Sequence, residues 1–199
     1  MKIKLKKFKK FMKKLIIIGN GDQSRVIQNI ILKQKKFKLF YFVKTNNFKR
    51  KKDNFLPRIK EIKFDHDFKN KINKYYFVCS ITNNYKRSKI INIMNKRYKN
   101  IKWASIICSS SDVSKFSKIN EGSIIGENVY IGPETIIGKH CFINNNSKIE
   151  HHNNFENYAS TAPNVKTGGN VKIGEFSYIG LGSIIIHNIK LNKNVVVGA

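Results

Sequence analysis

From Val113 onward an anchor residue returns at every sixth position. The anchors are Val113, Ile119, Ile125, Ile131, Ile137, Ile143, Ile149, Phe155, Thr161, Thr167, Ile173, Ile179, Ile185, Leu191 and Val197. Thirteen of these fifteen are apolar, and the register never slips. A period of six fits neither the 3.6 of an amphipathic helix nor the two-residue alternation of an ordinary strand. It is the period of a parallel β-helix, in which each hexad forms one side of a triangular prism and three hexads complete a coil. The anchor points into the prism. A small or β-branched residue four places later, such as Val129, Thr135, Cys141, Ser147, Ala159, Val165, Val171 or Ser177, packs beside it. The position after the anchor is glycine in seven hexads, from Gly126 and Gly132 to Gly198, and is expected to free the backbone to turn at each corner.

This geometry gives meaning to the stretch IEHHNNF, Ile149 to Phe155. His151 stands two residues past an anchor and therefore faces outward. One coil later the same place holds Gly169, and two coils later His187, about 10 Å from His151 for strands about 4.8 Å apart. A glycine between two imidazoles leaves room for a slender ligand and exposes a backbone N–H. A base of near-neutral pKa beside a fixed donor is what acyl transfer requires, although a solvated surface histidine has the same spacing. His152 and His140 are expected to be structural. The five histidines, His66, His140, His151, His152 and His187, do not supply a convergent three-histidine set, so no metal is expected.

A formal net charge of +27 invites a nucleic-acid reading, but its distribution argues against one. Residues 106–199 hold eight lysines, no arginine and seven acidic residues; the first 105 hold 31 basic and five acidic residues. No helix-turn-helix, zinc-finger or RNP-type signature accompanies this charge, and no specific nucleic acid is expected. The basic half is suited equally to small polyanions such as nucleotide-sugars or coenzyme A. The leader, residues 1–12, lacks the apolar core and cleavage site of a secretory signal, and no apolar run approaches a membrane span. A disordered leader without integral membrane association is expected. Cys79, Cys108 and Cys141 show neither CxxC spacing nor a disulfide framework, which points to a reducing cytoplasm.

Lys13 to Leu32, KKLIIIGNGDQSRVIQNIIL, reads as a buried strand, a glycine turn and an amphipathic helix. Phe37–Val43 and Tyr75–Ile81 read as further buried strands, with a helix at about Tyr85 to Arg97. The expected organisation is thus a leader (1–12), a small α/β, Rossmann-like domain (13–105) and a β-helix of hexapeptide repeats (106–199).

KKLIIIGNG (Lys13–Gly21), SITNNYKR (Ser80–Arg87) and the run from Asn144 to Gly174 resemble the sugar acetyltransferases that join a Rossmann-like domain to a left-handed parallel β-helix. That family includes N-acetyltransferases of nucleotide-linked amino sugars and sialic acid O-acetyltransferases. The resemblance implies that His151 is the general base, that the Gly169 amide meets the thioester carbonyl, and that acetyl-CoA, the co-substrate, lies in a groove beside Gly169, His187 and Gly180. It also implies a homotrimer in surface-glycan synthesis, with the nucleotide-sugar held near Gly19, Asn20 and Gly21. Three positions depart from the family pattern. Gln23 and Ser160 stand where the family has histidines, and His152 replaces an acidic residue, a role for which Glu150 is the candidate substitute. The functions left open are N-acetylation of a nucleotide-linked amino sugar, O-acetylation of sialic acid or a related sugar, and a non-catalytic trimeric scaffold.

Overall fold

The computed structural model describes residues 12–34, 36–44, 56–57, 59–62 and 72–199. Residues 1–11 of the basic leader and His66 lie outside the described residues. The chain begins with β1 (Lys13–Ile18), α1 (Asp22–Gln34), β2 (Phe37–Val43), β3 (Lys60–Ile62), β4 (Tyr76–Cys79), α2 (Asn84–Arg97) and β5 (Lys102–Trp103). The five strands form one parallel sheet in the order β3-β2-β1-β4-β5. β1 is central, and its run Leu15 to Ile18 is wholly buried, as a parallel strand covered on both faces requires. The strand order reverses beside β1, so the turns after β1 and β4 meet at the carboxyl edge of the sheet, the usual ligand crevice of an open α/β fold. There a Cβ on Gly19 would fall 2.4 Å from Ser80 Oγ, and its φ of +106° is one that side chains avoid.

Sixteen two-residue strands follow, from Ile106–Ile107 to Val196–Val197, stacked as three parallel sheets of five, five and six strands. Lys148–Ile149 pairs with Tyr130–Ile131 in the coil before and Lys166–Thr167 in the coil after, an eighteen-residue register repeated along the prism. This is the left-handed parallel β-helix of hexapeptide repeats. Ile125, Ile131, Ile137, Ile143, Ile149, Phe155, Ile173 and Ile179 are fully buried in its core. Burial of each stabilises the prism by about 1.5–3 kcal/mol. The two threonine anchors are also buried; Thr161 Oγ1 accepts a hydrogen bond from Asn144 N–H, whereas Thr167 Oγ1 has no partner among the described residues.

The corners are made differently from the sequence expectation. The glycines after the anchors do not supply the turn. The backbone becomes left-handed two residues later, at Asn128, Glu134, His140, Asn146, His152, Tyr158, Asn164, Asn170, Phe176, Asn188 and Asn194, and at Gly122 and Gly182. Asparagine is tolerated there because its short polar side chain suits positive φ, which accounts for the asparagine-rich runs. The anchor-following glycines instead answer to close packing between coils. A Cβ on Gly132 would lie 2.8 Å from the backbone nitrogen of His151, and one on Gly138 would lie 2.7 Å from the carbonyl oxygen of Phe155.

The N-terminal domain sits on the six-stranded face. Leu15, Ile17, Ile27, Ile30 and Phe42 share one core with Ile106, Cys108, Ile124 and Phe142 of that face. Along one edge, successive corner residues form a stack. His140 lies parallel to Tyr158 at 5.5 Å, Tyr158 to Phe176 at 5.2 Å, and Phe176 to Tyr85 of α2 at 5.0 Å. Trp103 meets His140 edge-on. Beneath this stack Arg87 is 3 % exposed. Its guanidinium donates to the carbonyls of His140, Ile81, Thr82 and Tyr158, and to Asn84 Oδ1 and Ser160 Oγ, at 2.8–3.0 Å. Asn84 Nδ2 donates to the carbonyls of Phe176 and Ser177. The SITNNYKR segment therefore clamps the two parts of the chain together. Cys79 and Cys141 are buried, and burial pushes their thiols up to about 11 and about 12, so they are inert at neutral pH.

Two measurements check this interface. Arg87→Ala leaves several buried acceptors without a donor, and its unfolding free energy is expected to fall by roughly 3 kcal/mol, read by denaturant titration. Burial lowers the pKa of His140 to about 4 from 6.5. The unfolded chain then binds the extra proton first as pH falls, so stability declines from about pH 6.5 to about pH 4, by roughly 3 kcal/mol at most. His140→Phe, which keeps the stack, is expected to flatten that stretch of a thermal-unfolding profile against pH.

Candidate active site

His151 and His152 form the two turn residues of the corner between the strand Lys148–Ile149 and the strand Asn154–Phe155. Both are exposed. The eighteen-residue register places Gly169 and then His187 directly above His151: Asn170 N–H donates to the carbonyl of His151, and Asn188 N–H to that of Gly169. The vacancy at Gly169 is occupied by the imidazole of His151 itself. A Cβ there would lie 2.4 Å from His151 Cε1 and 2.8 Å from Nε2. Glycine at this position is thus what lets the ring stand upright against the next coil. Among the described residues the Gly169 N–H has no acceptor.

The second ring nitrogen of His151 is also engaged. Its Nδ1 lies 3.0 Å from Nδ1 of His152, with the two rings nearly perpendicular. Glu150, expected as a partner for the base, is exposed, and among the described residues its carboxylate bonds to neither ring. Strand alternation turns it away; its contribution is its carbonyl oxygen, which accepts from Thr135 Oγ1 at 2.7 Å and from Asn153 Nδ2 at 2.7 Å. Gly180 is placed on a different corner, where the chain leaves the six-stranded face, and its Cα is covered by the backbone of Gly198. It does not join the stack of His151, Gly169 and His187. Ser160 lies in the Arg87 clamp, remote from His151.

Asn153 was not singled out by the sequence reading. It is 1 % exposed, and its Nδ2 is shared among the carbonyls of Glu150, His151 and Gly168 at 2.7–3.2 Å, tying the corner to the next coil. A signal was present. Asn153 occupies the slot four residues after an anchor, where Val129, Thr135, Cys141, Ser147, Ala159 and Val165 are all smaller or apolar.

The Gly19-Asn20-Gly21 turn lies on the opposite side of the prism. His151 stands on the edge between the two five-stranded faces, whereas the domain that carries the turn covers the six-stranded face. Gly21 borders open space, unlike Gly19. Asn83, Tyr85, Phe176, Tyr178 and Val196 line a pocket of about 410 Å³ where the turn after β4 meets the outer coils. Among the described residues, no group of three His, Cys, Asp or Glu side chains is disposed to hold a metal, and no helix is long and apolar enough to cross a membrane.

Comparison with known proteins accords with this architecture. Residues 14–94 match the model of the PglD N-terminal domain, and residues 116–151 match that of the bacterial transferase hexapeptide (six repeats). The first match falls in the α/β domain and the second in the prism. The acetyltransferase domain of PglB from Neisseria gonorrhoeae, solved with acetyl coenzyme A, is 19% identical over 95% of this chain and 89% of its own, with a TM-score of 0.83. PerB from Caulobacter crescentus, solved with CoA and GDP-perosamine, is 19% identical over 93% of this chain and 86% of its own, with a TM-score of 0.80. WeeI from Acinetobacter baumannii is 17% identical over 92% and 93%, with a TM-score of 0.56. No curated protein matches the chain.

Two neighbouring glycines give a contrast that tests the geometry. A Cβ on Gly168 would meet the backbone of His187 at 2.6 Å, whereas one on Gly169 would meet only the movable ring of His151. Gly168→Ala is expected to lower stability by about 1–3 kcal/mol through forced overpacking. Gly169→Ala is expected to change stability by less than about 1 kcal/mol while displacing the imidazole. Denaturant unfolding and the His151 ring resonances read the two effects.

Proposed function

We propose that the protein is an acetyl-CoA-dependent acetyltransferase that acylates the amino group of a nucleotide-linked amino sugar. The observation that carries this reading is the His151 imidazole packed against Gly169, whose N–H has no acceptor among the described residues. In this reaction His151 Nε2 takes the proton of the sugar amine as the nitrogen attacks the thioester carbonyl. Gly169 N–H donates to the oxyanion that develops. The C–N bond forms, the C–S bond breaks, and His151 returns its proton to the departing thiolate. The thioester is already activated, so these two groups are sufficient for the chemistry.

The acceptor is assigned to the crevice of the N-terminal domain. The turn at Gly19, Asn20 and Gly21, the amino end of α1 and the pocket of about 410 Å³ suit a phosphorylated, partly planar ligand. In one copy that crevice and His151 are separated by the prism. The reaction is therefore assigned to an interface between copies, with a trimer about an axis parallel to the three prisms bringing one copy's domain to another's edge and acetyl-CoA in the groove between them. The domain residues hold the acceptor, and the coils near Gly169 and His187 hold the acyl donor. Soluble, cytoplasmic placement in surface-glycan synthesis goes with such substrates.

The test is thiol release from acetyl-CoA by the purified protein with a panel of UDP-, dTDP- and GDP-linked amino sugars and free sialic acid. Release with a nucleotide-linked amino sugar, reduced by about 10²–10⁴-fold in His151→Ala, is the expected result. Release only with sialic acid would replace the N-acylation reading by O-acylation, and no release with any acceptor together with no acetyl-CoA binding would favour a scaffold.

A further inference from the structure

The Nδ1 atoms of His151 and His152 face each other at 3.0 Å with their rings 88° apart. A contact of that length between two imidazole nitrogens requires one proton between two lone pairs, so one ring donates and the other accepts. We propose that His152 is a positioning residue: its Nδ1 accepts the Nδ1 proton of His151, which leaves the lone pair of His151 on Nε2, the atom beside Gly169. This rests on the reading of His151 as the base.

Three observations converge on this arrangement. The Cε1–Nε2 edge of His151 lies against Gly169 and its Nδ1 against His152, so the base reading requires Nε2 to be the nitrogen without hydrogen. The donor role therefore falls to Nδ1 and the acceptor role to His152. The backbone of His152 is fixed from below. Its φ is 57°, and its N–H donates to the carbonyl of Pro133 in the preceding coil at 3.0 Å, so its side chain leaves the corner in one direction. Asn153 completes the support by binding the carbonyls of Glu150 and His151. The ring of His151 is thus held by the next coil on one side and by its own neighbour on the other. Its hydrogen-bond partner is a second imidazole, and among the described residues the exposed Glu150 carboxylate bonds to neither ring.

The left-handed corner permits two informative variants. Glycine stands in this slot at Gly122 and Gly182, so His152→Gly removes the acceptor while keeping the turn. Asparagine stands in it at Asn146 and Asn170, among others, and Asn Oδ1 occupies the place of His Nδ1, so His152→Asn keeps an acceptor. Nitrogen NMR of histidine-labelled protein is expected to show His151 as the Nδ1–H tautomer in the wild type and in His152→Asn, and as a mixture in His152→Gly. With a productive acceptor, His152→Gly is expected to lower kcat by about 10–100-fold with KM for acetyl-CoA unchanged, and His152→Asn to recover most of that loss. An Nε2–H tautomer in the wild type, or equal turnover in the wild type and His152→Gly, would overturn the proposal. The tautomer is read without turnover, so retention of activity in His151→Ala would defeat the base reading while leaving the ring-pair measurement to stand or fall by itself.

Discussion

Everything in the second half of this protein depends on one backbone ladder, in which each coil hydrogen-bonds to the coil eighteen residues away. The strand amides reach upward, as Lys148 N–H does to Val165, and the corner amides reach downward, as His152 N–H does to Pro133. Each coil is therefore held from both sides, and the buried anchors only have to fill the space the ladder encloses. The hydroxyls of Ser123, Thr135 and Ser177 reinforce it by donating to carbonyls fifteen residues on. Because the register cannot slip without exposing the anchors, a side chain on a corner has a fixed neighbour above and below. That is how a histidine and a glycine eighteen residues apart come into contact.

The first half is attached to this ladder through a buried cation that has no carboxylate partner among the described residues. Arg87 is satisfied almost wholly by carbonyl and side-chain oxygens. Burial lowers its pKa, yet a guanidinium stays charged, so its donors require those acceptors. With the Asn84 bonds to Phe176 and Ser177, the contacts extend from the turn before α2 to three successive coils, which makes the small domain and the prism a single packed body. Lys33 and Asn29 of α1 add a more exposed contact to Glu127, of smaller energetic weight. Among the described residues, the edge that carries His151 is left clear of the chain's own N-terminal domain.

Much of this was legible in the residues themselves. The six-residue period specified the prism and its core, because burial acts at every coil and leaves a periodic trace. The strand, turn and helix from Lys13 onward were readable for the same reason. Adding eighteen to 151 brought Gly169 beside the histidine without any structure. The corner glycines were misassigned because spacing marks where a side chain is missing, not whether backbone angle or crowding excludes it. The asparagines at 128, 146, 164, 170, 188 and 194 held the better clue to the left-handed turn. The Arg87 clamp was out of reach, since it joins residues 53 to 73 positions apart that carry no shared period. The partner of His151 was equally hidden, because positive φ at His152 redirects its side chain from where strand alternation would send it.

The corner slot accepts very different side chains without a change of backbone: histidine and tyrosine in the docking stack, asparagine on the bare edges, and His152 beside the outward-facing His151. Core and edge are consequently written in separate alphabets. Six-residue units carry the fold, and the outward letter at each turn can be exchanged at little cost to the interior. A residue transplanted by one coil would move up one storey, about 4.8 Å, and meet a new pair of neighbours in an unchanged frame. Chemistry on such a prism has an address made of two coordinates, the edge and the storey, and an enzyme of this build can be retuned one address at a time.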